Sequence, residues 1–184
     1  MVGRLLNLDQ SLLLIVDVQE KFMPVVNRSE QFISQCRRMT QGAAALQLPV
    51  LVSEQYPKGL GHTVPELAND LPPGTPIMEK TAFGCLQDTA IRDKINSLNR
   101  NQIMLIGLET HVCINQTAHQ LLEAGYQVHL LEDAITSRTQ ENHNIGLVKM
   151  RQSGIITSCV EAALFELMET ATHPAFKTIQ GLVK

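Results

Sequence analysis

The chain has little to stack a base on and nothing that would hold a strongly anionic partner. There is no tryptophan, and only two tyrosines and five phenylalanines occur in 184 residues. Aromatic platforms for unpaired bases are therefore not expected. The formal net charge is -3, and no basic run is present. Neither nucleic acid nor an anionic membrane surface is expected as a partner. Long apolar stretches are missing too. The unbroken apolar run near the N-terminus is Leu12–Val16, between Asp9 and Asp17. A membrane span needs roughly 20 such residues, and the basic flank and small-residue cleavage site of a secretory signal are not seen. A cytoplasmic location is the expectation. The four cysteines, Cys36, Cys85, Cys113 and Cys159, form no C-x-x-C pair. Neither a disulfide framework nor a zinc knuckle is expected.

What is present is alternation. Short apolar runs at 11–16, 49–53, 76–79, 102–106, 127–131 and 155–157 read as six strands. Helical spacing fills the intervals at 29–46, 86–98, 112–124 and 140–152. Gly125 is a natural helix stop. Ser158-Cys159-Val160-Glu161 has the spacing of a capping box opening a last helix that runs to about Met168. The arrangement predicts an α/β fold: a single three-layer α/β/α domain over 1–184, with a doubly wound, six-stranded parallel sheet. The Gly- and Pro-rich stretch 54–74 reads either as a lid over a ligand or as a surface excursion, with a helical turn near 66–69. The tail 176–184 reads either as a segment docking on a neighbour or as a frayed end.

In an open parallel sheet, ligands bind beyond the carboxyl ends of the strands. Asp17 follows the first strand, Lys80 the third, and Cys113 lies just past the fourth. A thiol at a helix start sits near unpaired N–H groups and the positive end of the helix dipole, which favour thiolate. A nearby carboxylate can take and return a proton. A lysine adds charge that favours both anions. The Cys113 N–H is placed to donate to a tetrahedral oxyanion. Taken singly, each residue has a plainer reading: a turn cap, a solvated cation, a small core side chain. Jointly they put three complementary groups on one rim. The strand before Lys80 lies far out in the usual strand order, so either its side chain leans inward or the order differs.

The segments Leu14–Phe22, Glu79–Gly84, Gly107–Ile114 and Leu130–Arg138 resemble the isochorismatase-like hydrolase superfamily, and the likeness spans about residues 10–168. The resemblance implies that Asp17 is general base and then acid, that Cys113 forms a thioester, and that Lys80 holds the charge of the intermediate. It also implies a cis peptide at Leu108–Glu109, which aims the Glu109 N–H into an oxyanion hole beside that of Cys113, and a homo-oligomer. Nicotinamidases of the superfamily bind a metal through Asp-x-His after the second strand. This chain has Ser53-Glu54-Gln55-Tyr56 there, and Glu54 with His62 is too small a ligand set. No metal and no cofactor are expected. Members that cleave a vinyl ether lack the cysteine, so its presence points to C–N bonds of small amides, ureides or carbamoyl compounds.

Gln19, Phe22, Tyr56, Phe83 and His111 are candidate pocket residues for a small-molecule substrate, with plain loop packing as the alternative. Gln19 is placed to orient Asp17 or the substrate. His111 invites a Cys–His dyad, but the resemblance favours Asp17 as base. His119, His129, His143 and His173 show no paired ligand spacing. Cys36 falls on a helical stripe and reads as core. Cys85 reads as a redox partner or a packing residue. Two rival functions stay open: a catalytically idle scaffold, and a thiol redox sensor using Cys113 with Cys85.

Overall fold

A computed structural model describes residues 5–184; residues 1–4 of the expected domain lie outside the described residues. Six strands form one parallel sheet: β1 (Ser11–Val16), β2 (Val50–Gln55), β3 (Ile77–Lys80), β4 (Gln102–Leu108), β5 (Gln127–Thr136) and β6 (Ile156–Ser158). Their order is β3-β2-β1-β4-β5-β6, so the chain reverses direction across the sheet between β1 and β4. The helices are α1 (Ser29–Ala45), the short α2 (Pro57–Leu60) and α3 (Pro65–Ala68), then α4 (Thr89–Ser97), α5 (Asn115–Glu123), α6 (Gln140–Gln152), α7 (Val160–Met168) and α8 (Phe176–Val183).

Strand periodicity divides the core. Along β1, Leu13 and Ile15 face a cluster that includes Phe32, Cys36, Met39 and Ala43 of α1 and residues of α7 and α8. Leu12, Leu14 and Val16 face a second cluster with Ile91 and Ile95 of α4, Ala118 and Leu121 of α5, and Leu147 and Met150 of α6. Successive strand side chains point to opposite faces, and β1 is buried on both, which is why it reads as an unbroken apolar run. Each fully buried side chain of this size contributes about 1.5–3 kcal/mol.

Several expected boundaries shift, each for a visible reason. β4 continues past residue 106 because Gly107 adopts φ +123 and lies against the end of β1, pairing with Val16. A Cβ there would sit 2.0 Å from the Val16 carbonyl oxygen. β5 extends with it, Gly107 pairing with Ile135 and Leu108 with Thr136 after a register shift. The capping box is not formed. Ser158 belongs to β6, and Cys159 occupies the cap position of α7 without a side-chain bond. Asp133 from β5 supplies the acceptor instead, taking the Val160 N–H at 2.9 Å.

The tail is not a frayed end. It forms α8 and buries Ile179 against the α1 side of the core, with Phe176 edge-on to Phe165 at 6.4 Å between ring centres. The stretch 54–74 is likewise tied down. Its first two residues extend β2, Val64 and Leu67 enter the core, and Thr63 bridges to Gln19.

Candidate active site

β1 delivers Asp17 at the carboxyl edge of the sheet. Its backbone takes φ 56, in the left-handed region that aspartate tolerates better than most residues. Its N–H is held by the Ser53 carbonyl at 3.0 Å, and its side chain has no solvent exposure. Oδ1 accepts from the Ser53 hydroxyl at 2.8 Å, and Oδ2 accepts from Lys80 Nζ at 2.7 Å. The strand order is the usual one, so β2 intervenes between the backbones of Asp17 and Lys80. Lys80 is the last residue of β3, paired with Gln55, while Ser53 pairs with Val16. The lysine stem leans inward and spans the gap. Its ammonium also donates to Gln55 Oε1 at 2.8 Å, to the Phe83 carbonyl at 3.1 Å and to the Ala82 carbonyl at 3.3 Å.

Cys113 completes the cluster, its sulfur close enough to Asp17 and Lys80 for the charges of both to act on it. It lies inside a π-helical turn, Thr110–Ile114, which precedes α5. The Glu109 carbonyl accepts the N–H groups of Val112 and Ile114 and closes that turn. The Leu108–Glu109 peptide bond is cis. On the outer side, α6 presses against the turn. A Cβ on Gly146 would meet the Thr110 carbonyl oxygen at 2.9 Å and the His111 Cα at 3.0 Å, so only glycine fits without movement.

The electrostatics correct one expectation. Cys113 is 5% exposed. Burial, and then the Asp17 charge, push its thiol well above the ordinary value, against the pull of Lys80. Burial and the neighbouring carboxylate therefore favour the thiol form of the resting sulfur over the thiolate expected from a helix start. Burial also raises Asp17, outweighing Lys80 and the hydrogen bonds that act the other way. Burial works against the Lys80 charge, but the Asp17 carboxylate beside it acts the other way and raises its pKa, so Lys80 stays an ammonium. Cys85 sits behind the cluster with its Sγ 3.6 Å from Ser53 Oγ. Burial and the Asp17 charge push its thiol up to about 11.

The other candidates disperse. Gln19 is fully buried, and its side chain faces the backbone rather than Asp17 or a pocket. Its Oε1 accepts the Gln55 N–H at 2.7 Å, and its Nε2 donates to the carbonyls of Gln55 and Gly61. It is a clamp on β2 and the following loop. Phe22 packs against the core on the α1 side. Phe83 turns its ring outward, 52% exposed, and gives only its carbonyl to Lys80. Tyr56, exposed and at φ 37, walls a cleft of about 300 Å³ with Pro57, Lys58, Lys80, Thr81 and Asp88, so this cleft borders the site. His111 Nδ1 is 3.0 Å from the Ser137 hydroxyl, and the Glu109 carboxylate takes Arg138 at 2.8 Å. Glu54 and His62 bond to each other, and no group of three or more metal-binding side chains gathers among the described residues. A separate cleft of about 570 Å³ between α1 and α8, lined by Ile33, Arg37, Gln41 and Leu182, contains none of the three site residues.

Two residues of the cluster escaped the sequence reading, Ser53 and Gln55. They are alternate positions of β2 and so share one face. The available signal was the polar triplet Ser53-Glu54-Gln55 continuing a buried strand that was expected to end at residue 53.

Comparison with known proteins follows the same lines. Residues 11–162 match the family model of the isochorismatase domain. The chain is 43% identical over 185 residues to isochorismatase domain-containing protein 2 of Bos taurus, covering 100% of this chain and 87% of the relative. It is similar to the solved MAR1 ribonuclease from Caenorhabditis elegans, with a TM-score of 0.92, 38% identity, and 97% and 91% of the two chains covered. The YcaC gene product of Escherichia coli, described as an octameric hydrolase of unknown specificity, shares the fold at a TM-score of 0.91 and 19% identity, with 97% and 90% covered.

Proposed function

The chain belongs to the isochorismatase family, and from that footing we propose that it is a cysteine-dependent hydrolase cleaving a C–N bond of a small amide, ureide or carbamoyl compound. The observation that carries this reading is the buried Asp17–Lys80 pair at 2.7 Å with the buried Cys113 sulfur within the influence of both charges. As sulfur attacks the substrate carbonyl, the thiol proton passes to Asp17. The oxyanion is received by the backbone N–H groups of Cys113 and Glu109, each such donor being worth about 10²–10³ in rate. Asp17 returns the proton to the leaving nitrogen, and ammonia or an amine departs from a thioester. Water then gives a proton to Asp17 and adds to the thioester. Collapse expels the sulfur, which regains its proton.

No cofactor enters this scheme. No helix among the described residues is long and apolar enough to cross a membrane, and a cytoplasmic, homo-oligomeric protein of one domain is part of the proposal. The octamer described for the E. coli relative supports self-association.

The test is release of ammonia or amine across a panel of small amides, ureides and carbamoyl compounds, with RNA as an added arm because the C. elegans relative is named a ribonuclease. Turnover of a panel member, lost in Cys113→Ser, with an acyl adduct on Cys113 in intact-mass spectra, is the expected result. Turnover that survives Cys113→Ser, or cleavage of RNA alone, overturns the reading. Turnover of nothing, together with a Cys85–Cys113 disulfide under mild oxidant, assigns the site to redox sensing.

A further inference from the structure

An ammonium has three N–H donors. Around Lys80 Nζ the protein places four acceptors: Asp17 Oδ2 at 2.7 Å, Gln55 Oε1 at 2.8 Å, the Phe83 carbonyl at 3.1 Å and the Ala82 carbonyl at 3.3 Å. The side chain has no solvent exposure. A substrate oxygen would have to displace one of these. We propose that Gln55 is a positioning residue: it fills the Lys80 ammonium together with the two carbonyls, so that Lys80 acts on Asp17 and Cys113 through its charge and donates no hydrogen bond to the substrate. This rests on the proposed cysteine chemistry and replaces the role that the family resemblance implies for Lys80, the direct holding of the intermediate's charge.

Gln55 is built for that task. Both of its backbone polar groups are clamped by Gln19, the N–H by Oε1 at 2.7 Å and the carbonyl by Nε2 at 3.0 Å. Its own amide Nε2 donates to the Thr81 carbonyl at 2.8 Å. That bond fixes the amide orientation, so the oxygen rather than the nitrogen faces Lys80. The Gln55 side chain is thus held at both ends, and the ammonium beyond it is held in turn. The charged and titratable groups facing the reacting sulfur are then Asp17 from β1, Lys80 from β3 and Cys85 from the turn before α4. Gln55 adds none and leaves the Lys80 charge directed at Asp17.

The experiment uses iodoacetamide on the full chain, reading labelling of Cys113 at fixed pH by mass spectrometry. In that displacement the sulfur bonds to the methylene carbon and iodide leaves, so no oxyanion forms. A lysine that acted only by holding an oxyanion would not influence it. Gln55→Glu keeps an acceptor toward Lys80 but brings a second carboxylate to share the ammonium. It should slow labelling by about tenfold, the equivalent of one pKa unit. Gln55→Met removes the acceptor without adding charge and should slow labelling by about threefold, less than Gln55→Glu, because the ammonium is held less firmly toward Asp17. A residue of merely structural importance would give the opposite order, with Met the more damaging. That order, or wild-type rates in both variants, overturns the inference.

Should Gln55→Glu fail to fold, the Lys80 ammonium itself is the readout. In ¹⁵N spectra its protons should exchange slowly with water in the wild type and faster in Gln55→Met, and identical exchange in the two overturns the inference. A wild-type Cys113 that iodoacetamide never labels is a separate outcome: it removes the cysteine chemistry, and this inference with it.

Discussion

Lys80 Nζ meets Asp17 Oδ2 at 2.7 Å although β2 runs between the strands that carry them. Both side chains are sealed from solvent. Breaking such a pair by removing one partner leaves a buried charge uncompensated, at a cost of about 3–5 kcal/mol, whereas removing both partners costs much less. Asp17→Asn and Lys80→Met should each lower the unfolding free energy by that amount. The double variant should be no less stable than the worse single variant. Urea unfolding of the four proteins measures this, and additive losses would mean that the two groups do not act as a pair.

The pH dependence of hydrolysis follows from the directions of the shifts. In the proposed mechanism Asp17 must be ionised to take the thiol proton, and burial raises its pKa above the ordinary 3.8. Activity should therefore be present above that raised value and fall as pH drops through it, so the acid limb lies above the usual aspartate range. Lys80 is raised above 10.5, so loss of its charge should not appear below that pH. Rates of kcat/KM against pH check both limbs. An acid limb near 3.8 would mean that burial does not control Asp17.

Gly107 and Gly146 hold the cluster in register from two sides. At Gly107 a side chain meets both a positive φ and the Val16 carbonyl at 2.0 Å, one residue before Asp17. At Gly146 it meets the backbone of the turn that carries Cys113 at 2.9–3.0 Å. Gly107→Ala should destabilise by about 3 kcal/mol or more, combining backbone strain with overpacking. Gly146→Ala should cost about 1–3 kcal/mol, with kcat falling more than KM rises because the turn that carries Cys113 is displaced. Thermal unfolding and steady-state kinetics rank the two, and an intact Gly107→Ala enzyme would contradict the packing described for β1 and β4.

The layers and the position of Asp17 were legible because they follow from period and strand ends, which one chain displays directly, whereas the strand order around β3 had two readings until the sheet was seen. β1 shows this well, since its burial on both faces leaves an unbroken apolar run. The reach of Lys80 across β2 was not legible, because side-chain direction at a strand end depends on a neighbour that sequence does not name. Gln19 illustrates the same limit. A glutamine two residues after a site aspartate reads as a substrate contact, yet its amide satisfies the backbone of a strand 36 residues away. The thiol state was misread for a different reason: helix-start arguments assume exposure, and desolvation at Cys113 outweighs them.

His129 on β5 is 1% exposed, and its Nε2 has no hydrogen-bond partner among the described residues. Burial drives its pKa down from 6.5 to about 4. The folded state therefore binds its proton more weakly than the unfolded state. The associated stability is fully present above pH 6.5 and is lost as pH falls from 6.5 toward 4. Between pH 7.5 and 5 the loss should be about 2 kcal/mol. In His129→Leu that part of the slope should vanish. Urea unfolding at the two pH values, in both proteins, isolates the contribution from the other titrating groups, and an equal slope in the variant would show that His129 is not its source.

Glu54 occupies the place where a metal ligand is sought in related enzymes, but its oxygens already have protein donors. Oε1 receives the Thr63 N–H at 2.6 Å and the Thr63 hydroxyl at 2.8 Å, and Oε2 faces His62 Nδ1 at 3.0 Å. Burial alone would raise this carboxyl; the Thr63 and His62 bonds outweigh it and hold it below its ordinary value. Its role is to bind the loop after α2 back onto β2, beside the Gln19–Thr63 bridge. Glu54→Ala should therefore cost about 1–3 kcal/mol, because the buried Thr63 N–H loses its acceptor. His62→Ala should cost less than Glu54→Ala, since that partner lies in solvent. Because a carboxylate engaged by three donors has no need of a cation, hydrolysis by wild-type protein should persist in EDTA. Activity lost to the chelator and restored by zinc would return Glu54 and His62 to the list of ligands.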